Sequence, residues 1–267
     1  MSTLLSLLQQ AISEVGTSDT PVLIVGNPDR QIMQWLALLN GLGRELRKSD
    51  WQALQKEYRF TTQYQTLTGT TTLGSPVVSG ISSTAGLTTD YMVTGVGINT
   101  DTMIVSVDSP TQVTLSQNAT ASGTVSLNFC QVAYALPSDY EKLVNRTQWD
   151  KSKHWEMQGP ETPQQWQWIK SGYISSGPRV RFRIMGGKFH IWPAMAVNEF
   201  LGFEYTSNGW VESSAGVAQS LFAADTDTCI FPDNVMIAGV KMRFFEVKGL
   251  DASAFRAEYL EALTTAK

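Results

Sequence analysis

Apolar residues recur at helical spacing near both ends of this 267-residue chain and alternate with polar ones in its middle. Leu4, Leu5, Leu8, Ala11, Ile12 and Val15 predict an amphipathic helix over residues 3–15. Asn27 followed by Pro28 predicts a second helix start, a capping side chain and then the proline tolerated in a first turn. This helix is expected to reach about Asn40, with Ile32, Trp35, Leu36 and Leu39 on one face. Gly41 and Gly43 weaken its continuation, although Leu42 and Leu46 extend the stripe. Ser49 with Gln52 reads as a reciprocal cap opening a third helix, with Trp51 and Leu54 inward. Residues 1–66 are thus the first part of a helical body, turning extended at Tyr58–Thr62.

Residues 67–129 differ in chemistry. They carry almost no charge and are rich in Thr, Ser and Gly, yet Val, Leu and Ile alternate with these too regularly for a disordered spacer. Val113 and Leu115, then Val125, Leu127 and Phe129, show period-two spacing, and Val77, Val93, Ile98, Ile104, Val105 and Val107 complete a modest core. Asp108-Ser109-Pro110 and residues 118–123 mark turns. The reading is an inserted all-β module, a small sandwich or barrel, with an immunoglobulin-like fold as one form.

Residues 130–267 return to the pattern of the first part. Pro137 opens a short helix with Tyr140, Leu143 and Val144 inward. Thr162-Pro163-Gln164-Gln165 is a helix start with cap, first-turn proline and return acceptor; Trp166, Ile169 and Trp168 pack, and Gly172 ends the helix. Arg179–Ile184 and Lys188–Trp192 flank Gly186-Gly187, a hairpin signal, and Asn198–Thr206 reads as another strand. Pro232 opens a helix of about 15 residues with Val235, Ala238, Met242 and Phe245 inward. A last helix starts at Asp251 or Ser253 and carries Phe255, Tyr259 and Leu263 along one side. The fold class expected is α+β: a mainly helical body with a β hairpin and an inserted β module.

Charged residues are 16% of the chain and the net charge is −4, so nothing draws it as a whole to nucleic acid. No apolar run approaches the roughly 18 residues of a membrane span. The N-terminal segment lacks a basic lead, so a soluble intracellular product is expected. In that setting the triplets at Asn118 and Asn145 carry no meaning as glycosylation sites. Cys130 and Cys229 have no metal or redox spacing and read as buried thiols.

Candidate chemistry is sparse. His190 sits in a strand, and His154 has no ligand at metal spacing near it. Asp225 and Asp227, two residues apart, suit a divalent cation or local capping. They lack the glycine and trailing glutamate of a calcium loop, and a metal-dependent hydrolase using them with a histidine is the weaker alternative. No nucleophile elbow or phosphate loop is present, so no catalytic, cofactor-binding or metal residue is assigned. Arg179, Arg181 and Arg183 alternate on one strand face, suiting a solvated face or intrachain salt bridges, an intersubunit charge pair, or a lining that faces DNA. Trp149, Trp155, Trp166, Trp168, Trp192 and Trp210 suit core and interface packing. A glycan-binding virion surface protein, using the β module and these indoles, is the other alternative.

The tracts Tyr134-Ala135-Leu136-Pro137-Ser138-Asp139-Tyr140, Trp149-Asp150 and Gly159-Pro160-Glu161-Thr162-Pro163-Gln164-Gln165-Trp166 resemble head-to-tail adaptor (connector, tail tubular A-like) proteins of short-tailed bacteriophages. Gly177–Arg183 and Gly239–Phe245 continue the likeness, which covers 1–66 and 130–267. What the resemblance implies is a virion neck protein assembled in the host cytoplasm: a ring of about twelve copies between portal and tail nozzle, through which DNA passes. It also implies a C-terminal segment, here the last helix through Leu263 to Lys267, docking into the portal. The module is a departure from simpler adaptors and would point outward, toward a fibre or spike. The interface residues expected on this basis are Arg179, Arg181, Arg183, Trp149, Trp166, Trp168, Phe255, Tyr259, Leu263 and Lys267.

Overall fold

A computed structural model of the chain describes residues 2–16, 19–171, 177 and 179–266. The elements run α1 (Leu4–Val15), α2 (Arg30–Leu46), β1 (Gln55–Thr61), β2 (Tyr64–Thr71), β3 (Val77–Val78), β4 (Tyr91–Gly95), β5 (Ile104–Ser109) and β6 (Gln112–Leu115). Next come β7 (Gly123–Gln131), β8 (Ala133–Ala135), β9 (Tyr140–Leu143), β10 (Trp149–Asp150), β11 (Trp155–Glu156) and α3 (Pro163–Lys170). The chain continues through β12 (Arg181–Met185), β13 (Lys188–Trp192), β14 (Phe200–Ser207), β15 (Val211–Glu212), β16 (Ala218–Gln219), β17 (Thr228–Cys229), α4 (Asp233–Val247) and α5 (Ser253–Ala266). This is a mixed α+β fold with several small sheets, none of which closes into a barrel. Two compact units form: Met1–Lys56, Asp139–Leu143 and Tyr205–Lys267 in one, Glu57–Ser138 and Val144–Glu204 in the other.

The first unit is the helical one. Thr3 caps α1 by accepting the Ser6 N–H, and Gly16, at φ 68°, ends it in the left-handed conformation that glycine adopts without strain. The α2 cap is Asp29, which accepts the Gln31 N–H, so the helix starts two residues later than the Asn27-Pro28 signal suggests. It runs through Gly41 and Gly43 to Leu46 because both glycines meet tertiary neighbours. Gly43 lies flush against the ring of buried Trp210. Leu4, Leu8 and Ile12 of α1 join Trp35 and Leu39 of α2 and Val235, Val240 and Phe244 of α4 in one core. Trp35 stacks on Phe244 at 4.1 Å.

The expected inner face of α4 is corrected. Val235 and Ala238 are buried, but so is the whole run from Val235 to Lys241, while Met242 and Phe245 are half-buried. Helices α1, α2 and α5 all pack on α4, and a helix covered on several sides buries more than a stripe. Buried Lys241 is satisfied by Glu14 at 2.6 Å and Glu258 at 2.8 Å. No described residue of α5 is fully buried; Tyr259 and Leu263 rest on the unit's own core and Phe255 on Phe245 at 4.4 Å.

Two helices expected from the sequence are absent. After Ser49 only a 3-10 turn, Gln52–Leu54, forms before β1 begins. Tyr140–Leu143 is a strand paired with β14, not a helix opened by Pro137. Asp139 decides the second case: it accepts hydrogen bonds from Lys56 Nζ, Tyr205 Oη and Ser207 Oγ, partners that local spacing does not reveal.

The second unit is mostly β, with α3 its one named helix among the described residues, so the helical character expected of the whole body belongs to the first unit. Its module holds two three-stranded antiparallel sheets, in the orders β2-β7-β4 and β3-β6-β5. Val78, Ile81, Val93, Ile104, Val113, Leu115, Leu127 and Phe129 fill the space they share. Val105 and Val107, expected in this core, are exposed, because Ile104 points inward and alternation along β5 turns both valines to the opposite face. Lys188–Asp90 (2.6 Å) and Lys170–Asp101 (2.9 Å) tie the module to β13 and α3.

Beside the module, Gly186 and Gly187, both at positive φ, turn the β12–β13 hairpin, and β13 pairs with β8. Phe182, Phe189 and Phe203 stack in series at 5.1 and 4.9 Å, with Phe60 against Tyr134 at 4.5 Å. Thr162 and Gln165 form the expected capping box, and Trp166 and Ile169 anchor α3. The expected end of that helix at Gly172 lies outside the described residues.

Candidate functional site

One concavity lies in the second unit. It is a groove of about 590 Å³ lined by Glu57, Arg146, Thr147, Trp149, Lys151, His154 and Glu204. Strand β10 carries Trp149 into it: Trp149 is paired with Gly202 of β14 on one side and Glu156 of β11 on the other. Residues two apart share a sheet face, so Phe200 and Glu204 lie on the same side as Gly202, and Glu57 and Arg59 line the exposed side of β1. Gly202 contributes no side chain beside the indole, and Trp149 remains 43% exposed. A methyl group at Gly202 would press on the Lys151 stem.

The turn between β10 and β11 shapes one end. Buried Asp150 accepts the backbone N–H groups of Ser152 and Lys153, and His154 closes the turn at φ 59°. At the other end Arg146 also holds a left-handed backbone, φ 63°. The adjacent Thr147 donates to the Val144 carbonyl and accepts the Glu204 N–H at 3.0 Å, fixing Glu204 against the same wall.

Charge in the groove is balanced. Arg59 and Lys151 both hydrogen-bond Glu57 and push its carboxyl down to about 2. Arg146 and Glu204 add one charge of each sign. The arrangement offers an aromatic platform, hydrogen-bond donors and acceptors, and no nucleophile beside a base.

The other candidate side chains are dispersed. Arg181 forms an ion pair with Glu161 at 2.7 Å within the unit, the intrachain reading of that charge. Arg183 is half-buried opposite His190, and Arg179 is exposed ahead of β12. Trp166 is only 2% exposed and presents no surface to a partner, a correction to its place among the interface residues. Packing of Trp168 is likewise corrected: it is 56% exposed and stands over a shallow groove with Thr162, Gln164 and Gln165. Phe255, Tyr259 and Leu263 are half-buried on their own unit, and Lys267 lies outside the described residues.

Asp225 and Asp227 are locked by backbone donors. Asp225 accepts from Ile24 and Val25 at 3.0 and 2.8 Å; Asp227 accepts from Ala223 and Ala224 at 2.7 and 2.8 Å. This is the capping reading of the pair. Among the described residues no group of three His, Cys, Asp or Glu could hold a metal ion. Both thiols are buried and in no disulfide, with burial pushing Cys130 up to about 11 and Cys229 up to about 12.

No protein-family model and no curated protein sequence matches the chain. Sequence reasoning singled out Trp149 but not its surroundings. Glu57 had a signal, since Glu57 and Arg59 alternate with Tyr58 and Phe60 as a strand with one wet face does. Glu204 had none: it joins the site only through the pairing of β14 with β10.

Proposed function

We propose that this protein is a structural head-to-tail adaptor of a short-tailed phage virion, a ring of about twelve subunits between portal and nozzle that lets DNA pass. The observation that carries the reading is the ordered set of tracts, Tyr134–Tyr140, Trp149-Asp150, Gly159–Trp166, Gly177–Arg183 and Gly239–Phe245, resembling adaptors of that class. The Trp149 groove is open and charge-balanced, and each of the paired aspartates accepts two backbone N–H groups.

Exposed Trp168 and Arg179 are the side chains of the candidate set best presented to a neighbouring subunit, as tryptophan and arginine are enriched at interface centres. The C-terminal helix, which has no fully buried residue, is the proposed portal-side segment. The net charge of −4 suits a lumen that passes DNA without retaining it. The module is the proposed outward contact for a fibre or spike.

A glycan-binding role for the module has less support, because its two aromatic residues, Tyr91 and Phe129, are both buried in its core and offer no stacking platform. The test is to mix the purified protein with its portal and image the product by electron microscopy. Rings seated on the portal are expected, with assembly weakened by Trp168→Ala and Arg179→Glu. A protein that stays a lone subunit in the presence of portal overturns the proposal.

A further inference from the structure

We propose that the groove around Trp149 is a binding site for a neutral oligosaccharide. A pyranose ring has a face of C–H groups that packs on an aromatic plane, while its hydroxyls radiate outward and need both donors and acceptors. Trp149 supplies the plane on a strand held from both sides, with the Lys151 stem packed over Gly202. Glu57 and Glu204 accept; Arg146 and Lys151 donate. The volume, about 590 Å³, lies in the range of small-molecule sites.

The charge pattern excludes the nearest competitors. The base of a nucleotide would also stack on the indole, but the nucleotide's phosphates would meet the carboxylates of Glu57 and Glu204. A cationic ligand would meet Arg146 and Lys151. Two carboxylates against two cations favour a ligand with hydroxyls and no charge. Of the three non-glycine residues with positive φ among those described, Arg146 and His154 both line this groove. Such backbone is costly and persists where the surroundings over-determine it, so the groove is a shaped feature of the fold.

The proposal is independent of the adaptor reading, since ring assembly and sugar binding are measured separately. The test titrates maltotriose, cellotriose and chitotriose, each to about 10 mM, above the millimolar constants of weak sites, and follows binding by saturation-transfer NMR. At least one trisaccharide is expected to bind saturably. Trp149→Ala should weaken it about tenfold or more and Glu204→Gln several-fold, while Trp168→Ala, outside the groove, should leave it unchanged. Circular dichroism checks each variant; if Trp149→Ala does not fold, Glu204→Gln decides. Absence of saturable binding by all three sugars overturns the proposal. So does binding that survives the groove variants, or a single-stranded DNA oligonucleotide that occupies the groove in preference to the sugars.

Discussion

Gly43→Ala should destabilise the protein, although alanine is the better helix former. In the middle of α2 the substitution gains about 0.5–1 kcal/mol from propensity and lost unfolded-state freedom. The new methyl group, however, would lie under 3.0 Å from three carbons of the Trp210 ring. That ring cannot yield: it is fully buried, edge-on to Phe222 at 5.2 Å and stacked with Phe231 at 6.0 Å. Overpacking a rigid core costs about 1–3 kcal/mol, and the upper end applies where the obstacle is aromatic and enclosed. The net loss is about 2 kcal/mol, or a fall in Tm of about 4–8 °C for a protein of this size. Gly41, two residues earlier, is the control. A methyl group there meets only the Arg243 Nη1 at 3.1 Å, the mobile end of a long side chain, so Gly41→Ala should be neutral or stabilising by up to about 1 kcal/mol. Urea unfolding followed by circular dichroism measures both. If Gly43→Ala matches or exceeds the wild-type protein, the seating of α2 on Trp210 is refuted.

Three further outcomes are expected. Asp225→Ala should cost about 2 kcal/mol in urea unfolding, since two partly buried N–H groups lose their acceptor, and calorimetric titration of the wild-type protein with Mg²⁺, Ca²⁺ or Mn²⁺ should show no stoichiometric heat at the Asp225–Asp227 loop. Thr162→Ala should cost about 1 kcal/mol by removing the capping box of α3, and hydrogen exchange should quicken in that helix first. The Glu57 carboxyl, held down by hydrogen bonds from Arg59 and Lys151, should titrate near 2 rather than 4.5 in carbon-detected NMR. Because its folded value is depressed, its stabilising contribution is present above pH 4.5 and is lost as the pH falls toward 2; an ordinary midpoint would refute the three-residue cluster.

The parts of this fold that the sequence made legible are those decided by residues close together in the chain. Thr162-Pro163-Gln164-Gln165 predicts α3 because a capping box closes within four residues. Gly186-Gly187 predicts its hairpin because both positions need positive φ. The alternation through Val113–Leu115 and Val125–Phe129 predicts strands because one face must be apolar. Failures occur where a distant partner decides. Asp139 takes its hydrogen bonds from Lys56, Tyr205 and Ser207 and leaves Tyr140–Leu143 in a strand. Trp149 reads like any other indole until Gly202 is placed beside it, and Trp166 and Trp168 differ in exposure only because of which side of α3 meets the unit.

The strands that begin and finish the charge-poor module, β2 and β7, pair from Tyr64 across from Cys130 to Thr71 across from Gly123. The chain therefore departs and returns at neighbouring points, about 5 Å apart as cross-strand partners are. A cassette mounted on such a two-stranded stem can be lengthened, shortened or exchanged while the stem's closing pair stays in place. The lysine–aspartate clasps at Asp90 and Asp101 would be among the contacts to rebuild. A protein built this way can alter what it displays without redesigning what it stands on.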